Sequence, residues 1–302
     1  MRLFHSGNEK LQEVKPKTFK LEKEIQELTE QNLEMVFGYE FVKSEYALNN
    51  FRLDSLAFDE SSKSFVIIEY KRDKNFSVID QGYAYLSLML NNKADFILEY
   101  NECMDKNLRK NDVDWSQSKV LFVAPSYTLY QRESINFKDL PIELWEIKAY
   151  ENSTVMYTQI NPTKSTESIQ TISSDTNIQS VAKEVKIYTE EEHLKGKPSE
   201  IIELYETIKN EILNLGDIKV KANKQYIAFI GSRNIVDFVI QNKKLKMYIN
   251  MKFPDIDDHK NIVKDITKIG SWGNGDCEVN FSSLEDIDYL VTLVKQSLKK
   301  NG

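Results

Sequence analysis

The 302-residue chain is long enough for two domains with real cores, and its 41% hydrophobic and 29% charged residues are those of a folded protein, not a disordered one. Its net charge of −7 excludes a global attraction for phosphate backbones, so any contact with nucleic acid must rest on local positive charge. Cys103 and Cys277 are too few and too far apart for a disulfide framework or a metal knuckle, no stretch nears the roughly 18 apolar residues of a membrane span, and the start lacks a signal-peptide core, which together predict a reducing, cytoplasmic setting.

In chain order, residues 1–17 are polar without a clear period. A helix is predicted from about Lys20 to Phe37, where Leu21, Ile25, Leu28, Asn32 and Met35 fall near a 3.6-residue period and Gly38 is placed to end it. Phe51 to Phe58 and Ser64 to Lys71 read as strands joined by the polar turn Asp59-Glu60-Ser61-Ser62-Lys63. Phe65, Val66, Ile67 and Ile68 are continuously apolar, as in a strand covered on both faces, yet Glu69 and Lys71 follow at its end. Alternation puts those two charges on one face, and the hairpin partner can bring Asp54 beside them. A solvated Glu-Lys pair at a strand end would be ordinary and worth little. Two carboxylates and an ammonium at one sheet edge form a group that needs a reason.

Asn75 to Asn91 predicts a helix on which Gln81 and Tyr85, at i and i+4, are neighbours, either as packing residues or as groups lying over that edge. A further helix includes Asp95 to Glu102. A strand at Val120 to Ala124, a helix near Leu129 to Ile135 and strands at Ile142 to Ile147 and Thr154 to Ile160 complete a mixed sheet flanked by helices. From Asn161 to about Lys183 the chain is dense in Ser, Thr, Asn and Gln and reads as a flexible linker. The expected domains are therefore 1–160 and 184–302.

The second domain begins with an amphipathic helix from Pro198 that stops at Gly216, followed by strand-like runs at Ile218 to Lys221, Gln225 to Ile230, Ile235 to Ile240 and Leu245 to Met251, and by a closing helix at Leu284 to Leu298. This is a smaller α+β domain with an antiparallel sheet. Lys219, Lys221, Lys224, Arg233, Lys243, Lys244, Lys246 and Lys252 stand against only Asp237 in this stretch, and alternation could set several on one face, as a phosphate-binding platform or as an ordinary solvated surface. Trp272 and Phe253 suit either a core or base stacking.

Arg52-Leu53-Asp54, Glu69-Tyr70-Lys71 and the Gln81/Tyr85 pair, in that order on strand, strand and helix, resemble the PD-(D/E)xK nuclease superfamily, in the branch with RecB-type domains and the archaeal NucS endonuclease. The match covers about the first half of the chain and lacks the family's Pro before the Asp. The resemblance implies a restriction-endonuclease-like α/β fold and a metal-dependent nuclease, an endonuclease acting on DNA. Asp54 and Glu69 would be ligands of Mg²⁺, with Mn²⁺ as a substitute, the Tyr70 carbonyl a further ligand, Lys71 the group beside the reacting water, and Gln81 and Tyr85 neighbours of the scissile phosphate. The branch also places a glutamate of its first helix near the metals; among Glu22, Glu24, Glu27, Glu30 and Glu34, spacing ahead of Asn32 aligns Glu24 with it. The alternative is a nuclease-fold module that binds nucleic acid or protein without turnover. A homodimer would suit an enzyme that cuts two strands, though no interface is readable. Gly270 to Asp276 and Leu284 to Tyr289 resemble a small domain of unknown function found alone or behind nuclease-like domains, which implies no activity.

Overall fold

The computed structural model describes residues 2–7, 10–72, 76–137, 139–162, 176–269 and 273–301, so Asn75, Trp272 and residues 163–175 of the expected linker lie outside the described residues. Two compact units divide the chain, Met1–Ile187 and Tyr188–Gly302.

The first unit opens with the hairpin β1 (Leu3–Gly7) and β2 (Lys10–Val14), a two-stranded sheet of its own. Its main sheet contains β3 (Pro16–Lys17), β4 (Glu40–Leu48), β5 (Phe51–Asp59), β6 (Ser64–Tyr70), β7 (Lys119–Ala124), β8 (Ile142–Tyr150) and β9 (Val155–Ile160). The order is β4-β5-β6-β7-β8, with β3 and β9 both paired to β8. Only β6/β7 and β7/β8 are parallel; the other pairs run antiparallel, so the sheet is mixed.

Alternation decides which helix meets which face. Phe65 and Ile67 of β6 join Phe122 and the helix α3 (Val78–Asn91) in one core, while Val66, Ile68 and Tyr70 join Leu121, Val123 and Ile25 of α1 (Glu22–Glu30) in another. All seven residues of β6 are buried, which is why its sequence runs apolar rather than alternating. Each such side chain contributes roughly 1.5–3 kcal/mol of burial before entropy is counted.

Several expectations need correction. The helix expected over Lys20 to Phe37 is two: α1 ends at Gln31, and α2 (Leu33–Phe37) restarts after Asn32 and is closed by Gly38 in the left-handed region (φ 72°). The edge strand β4 lies where no element was expected. The expected linker reaches too far, because α6 (Thr176–Glu184) packs Ile178 and Val181 into the first unit's larger core, joined by Val185 just beyond it. Helices α4 (Lys93–Met104) and α5 (Leu129–Ser134) fall close to where the sequence put them.

The second unit holds α7 (Glu190–Leu194), α8 (Ser199–Leu213), α9 (Ile287–Asn301) and an antiparallel sheet of order β10-β11-β12-β13-β15-β14, where β10 is Lys219–Ala222, β11 Ile227–Ile230, β12 Asn234–Ile240, β13 Leu245–Ile249, β14 Lys264–Asp265 and β15 Cys277–Phe281. Its helices cover one face, packing Tyr205, Ile208 and Leu293 against Phe229, Phe238 and Met247. The segment after β14 is pinned close to the sheet: a Cβ on Gly275 (φ 87°) would lie 2.2 Å from the Ile249 carbonyl oxygen.

Candidate active site

At the open end of the β5–β6 hairpin two carboxylates come together, Glu69 buried and Asp54 half-buried. The ladder pairs Ser55 with Ile68, so Asp54 stands one residue beyond, beside Glu69 and Tyr70. The strand does not continue regularly there. Across from Asp54 on β4, Glu45 lies in the left-handed region (φ 54°), a costly conformation for a non-glycine residue. Asp54 Oδ2 instead accepts the Tyr70 backbone N–H at 2.9 Å, which aims the carboxylate at the end of β6. From α1, Gln26 Nε2 donates to the Asp54 carbonyl oxygen (3.0 Å) and to Ser44 and Glu30, anchoring the backbone from behind.

Glu69 is 3% exposed. Its Oε1 accepts from Lys71 Nζ (2.5 Å) and from Gln81 Nε2 (2.8 Å) of α3. Gln81 Nε2 also donates to the Tyr85 hydroxyl at 2.9 Å, so the i, i+4 pair acts as one polar unit laid over the carboxylate. Tyr85 leans toward the same carboxylate, yet Glu69 Oε2 is buried with no hydrogen-bond partner of good geometry. The Lys71 backbone N–H donates to Val123 at the end of β7, fixing where the Lys71 side chain starts.

Burial pushes the Asp54 carboxyl up to about 7, with the Glu69 charge adding to it and the Tyr70 N–H and Lys71 opposing. Burial likewise raises Glu69, against the pull of Lys71 and the polar groups of α3. A buried and a half-buried carboxylate beside one ammonium carry more negative charge than that ammonium neutralises.

Asp54, Glu69, Lys71, Gln81 and Tyr85 are thus gathered, with the Tyr70 backbone between the two carboxylates. Glu24 is not. Its carboxylate accepts the Lys20 N–H (2.8 Å) and lines a separate cavity of about 380 Å³ with Lys17, Phe19 and Tyr150. Glu22 lies nearer: its Oε2 accepts the Arg72 N–H (2.8 Å), and its charge acts on Asp54. The signal was present in the sequence, since Glu22, Gln26 and Glu30 recur every four residues on the face that also carries Ile25 and Thr29.

Among the described residues no cluster of three or more His, Cys, Asp or Glu is gathered as a ready metal cage. A hard cation does not require one, because Mg²⁺ is commonly held by one or two carboxylates plus waters and substrate phosphates. The donor set here, buried Glu69 with one oxygen lacking a well-placed partner and half-buried Asp54 beside it, fits such an ion.

The basic residues of the second unit do not converge as one platform. Lys219, Lys221 and Lys246 point from the face opposite the helices, where Lys246 pairs with Glu278 at 3.5 Å. Lys224, Lys243 and Lys244 lie in turns at one end of the sheet, and Arg233 in the turn at the other. Asp237, fully buried on that same face, accepts the backbone and side-chain N–H groups of Asn274 and the amide of Asn234.

A protein of Haemophilus influenzae, described as uncharacterized, is 48% identical over 301 residues, covering 99% of this chain and all of its own. This chain belongs to that protein's family. Residues 190–300 match a domain of unknown function, DUF5655, which takes in nearly all of the second unit. Solved structures similar to parts of the chain include an EndoMS complex with double-stranded DNA (19% identical, 37% of this chain and 40% of that one) and a repair endonuclease from Pyrococcus abyssi (18%, 43% and 48%), both at a TM-score of 0.25. SfsA of Pyrococcus furiosus in complex with Ca²⁺ is 10% identical over 51% of this chain and 78% of that one, at the same TM-score. Likeness at that level carries no weight for activity. No helix among the described residues is long and apolar enough to cross a membrane.

Proposed function

We propose that this protein is a metal-dependent nuclease that hydrolyses phosphodiester bonds in DNA, with its active site at Asp54, Glu69 and Lys71. The observation that carries the reading is the neighbouring pair of carboxylates, half-buried Asp54 raised to about 7 and buried Glu69 with an oxygen that lacks a well-placed partner, beside a lysine at the same strand end. Asp54 and Glu69 would hold Mg²⁺ or Mn²⁺, with the Tyr70 carbonyl as a further ligand and Glu22, whose charge acts on Asp54, as a supporting carboxylate. Bound there, the ion would lower the pKa of a water and offset charge developing on the phosphate. Gln81 keeps Glu69 Oε1 engaged, which leaves Oε2 as the oxygen available to a cation. Lys71 Nζ, which donates to Glu69 Oε1, would stabilise negative charge developing on the phosphate or hold the attacking water as a hydrogen-bond donor. The Tyr85 hydroxyl, kept protonated by burial and by Glu69, serves as a donor rather than a base.

The test is cleavage of labelled single-stranded, duplex and forked DNA with Mg²⁺ or Mn²⁺, by wild type and by Asp54→Ala. Cleavage by the wild type alone supports the assignment. Retained activity in Asp54→Ala overturns it, and absence of both cleavage and metal binding in the wild type leaves a nuclease-fold binding module.

A further inference from the structure

Phe51 opens β5 three residues before Asp54 and is 43% exposed, whereas the rings of Phe58, Phe65, Phe96 and Phe122 in the adjoining core are fully buried. Its ring centroid lies 6.5 Å from that of Tyr85 at 78°, an edge contact that uses one rim of the phenyl group and leaves much of the ring uncovered. Tyr85 is hydrogen-bonded to Gln81, and Gln81 to Glu69, so contacts run unbroken from an exposed aromatic ring to the carboxylate. The neighbouring Arg52 points to the opposite face of β5, where it is ion-paired to Glu45, so the cation reached by the ring's chain of contacts is Lys71, whose Nζ donates to Glu69 Oε1 at 2.5 Å. An exposed aromatic ring beside a site that carries a cation matches the composition of surfaces that bind unpaired nucleotides, in which bases stack on the ring while cations follow the phosphates. A duplex keeps its bases stacked on one another and offers such a ring only their edges.

We infer that Phe51 is a stacking platform for an unpaired base of single-stranded DNA at the mouth of the Asp54–Glu69 site, an inference that rests on the nuclease reading. Phe51 is a positioning residue: it holds the strand while the carboxylates act on the neighbouring phosphate.

The experiment compares wild type, Phe51→Ala, Phe51→Leu and Phe51→Trp by anisotropy with a labelled oligothymidylate and a labelled blunt duplex, without divalent cation, and then by cleavage with Mg²⁺. Phe51→Ala and Phe51→Leu should each weaken oligothymidylate binding about tenfold, the loss of one stacked base, with duplex binding unchanged and Phe51→Trp at wild-type strength. Phe51→Leu keeps an apolar contact with Tyr85 without a ring, so it tests stacking even if the alanine variant is unstable. The inference is overturned if Phe51→Leu binds like wild type, if duplex binding falls in step, or if the wild type does not bind oligothymidylate. Wild-type cleavage with no ring dependence would sink this inference and leave the nuclease reading intact. Ring-dependent binding with no wild-type cleavage of any substrate would sink the nuclease reading instead.

Discussion

Replacing Asp54 by asparagine removes a charge while keeping an oxygen that can accept the Tyr70 N–H, so the variant isolates the electrostatic cost of the site. The carboxyl sits at about 7 in the folded chain against an ordinary 3.8, for burial and the Glu69 charge. At 1.36 kcal/mol per pH unit, that difference is at most about 4 kcal/mol. The sign follows from proton binding. Between the two values the folded state holds the proton and the unfolded state does not, so the stabilising effect of the protonated form is complete below about pH 4 and lost as pH rises through 7. The substituted amide cannot titrate. Thermal unfolding from pH 4 to 8 should show coincident midpoints at the acid end and a gap opening toward pH 8, the variant more stable by on the order of 5–10 °C. Millimolar Mg²⁺ at pH 8 should raise the wild-type midpoint and leave that of Asp54→Asn unmoved, with cleavage lost in the variant. Parallel curves across the whole range would refute the reasoning, because a half-buried, charge-crowded Asp54 cannot leave stability indifferent to pH.

The first helix offers a paired test: Glu22→Gln should cost roughly tenfold or more in metal-dependent cleavage, as loss of a supporting carboxylate does, while Glu24→Gln leaves cleavage rates level with wild type. Gly82→Ala would drive a Cβ to 2.4 Å from Ile142 Cδ1 between α3 and β8, an overpacking expected to cost about 1–3 kcal/mol in denaturant unfolding. In the second unit, Gly275→Ala must bear both a positive φ and contact with the Ile249 carbonyl oxygen, so it should destabilise by about 2 kcal/mol or more, read from the same unfolding curves.

The hairpin was legible because its signals are local: β6 is buried on both faces and says so by its unbroken apolar run, and the Asp59–Lys63 turn is as polar as turns are. The edge strand β4 was hidden because Glu40, Lys43, Ser44 and Glu45 interrupt its apolar residues and only Val42 and Tyr46 are buried. The break after Gln31 was invisible to periodicity, since Leu33 continues the apolar stripe of α1 although the backbone turns at Asn32. α6 was masked by its setting, three or four apolar residues within a polar tract being enough for a helix that has a core to lean on. Glu22 and Glu24 are not told apart by alignment alone; the helix face each occupies separates them, which the four-residue spacing of Glu22, Gln26 and Glu30 indicates and the Arg72 and Lys20 contacts show.

The turn at the far end of the hairpin acts as a ruler for the carboxylates. Asp59 is 2% exposed, and its Oδ1 receives the N–H groups of Ser61 (2.9 Å) and Ser62 (3.2 Å), while Lys63 completes the reversal with φ 52°. That fixed length sets which residue of β6 stands against which residue of β5. A slip of one position would send Glu69 to the opposite side of the sheet, away from Gln81 and Asp54.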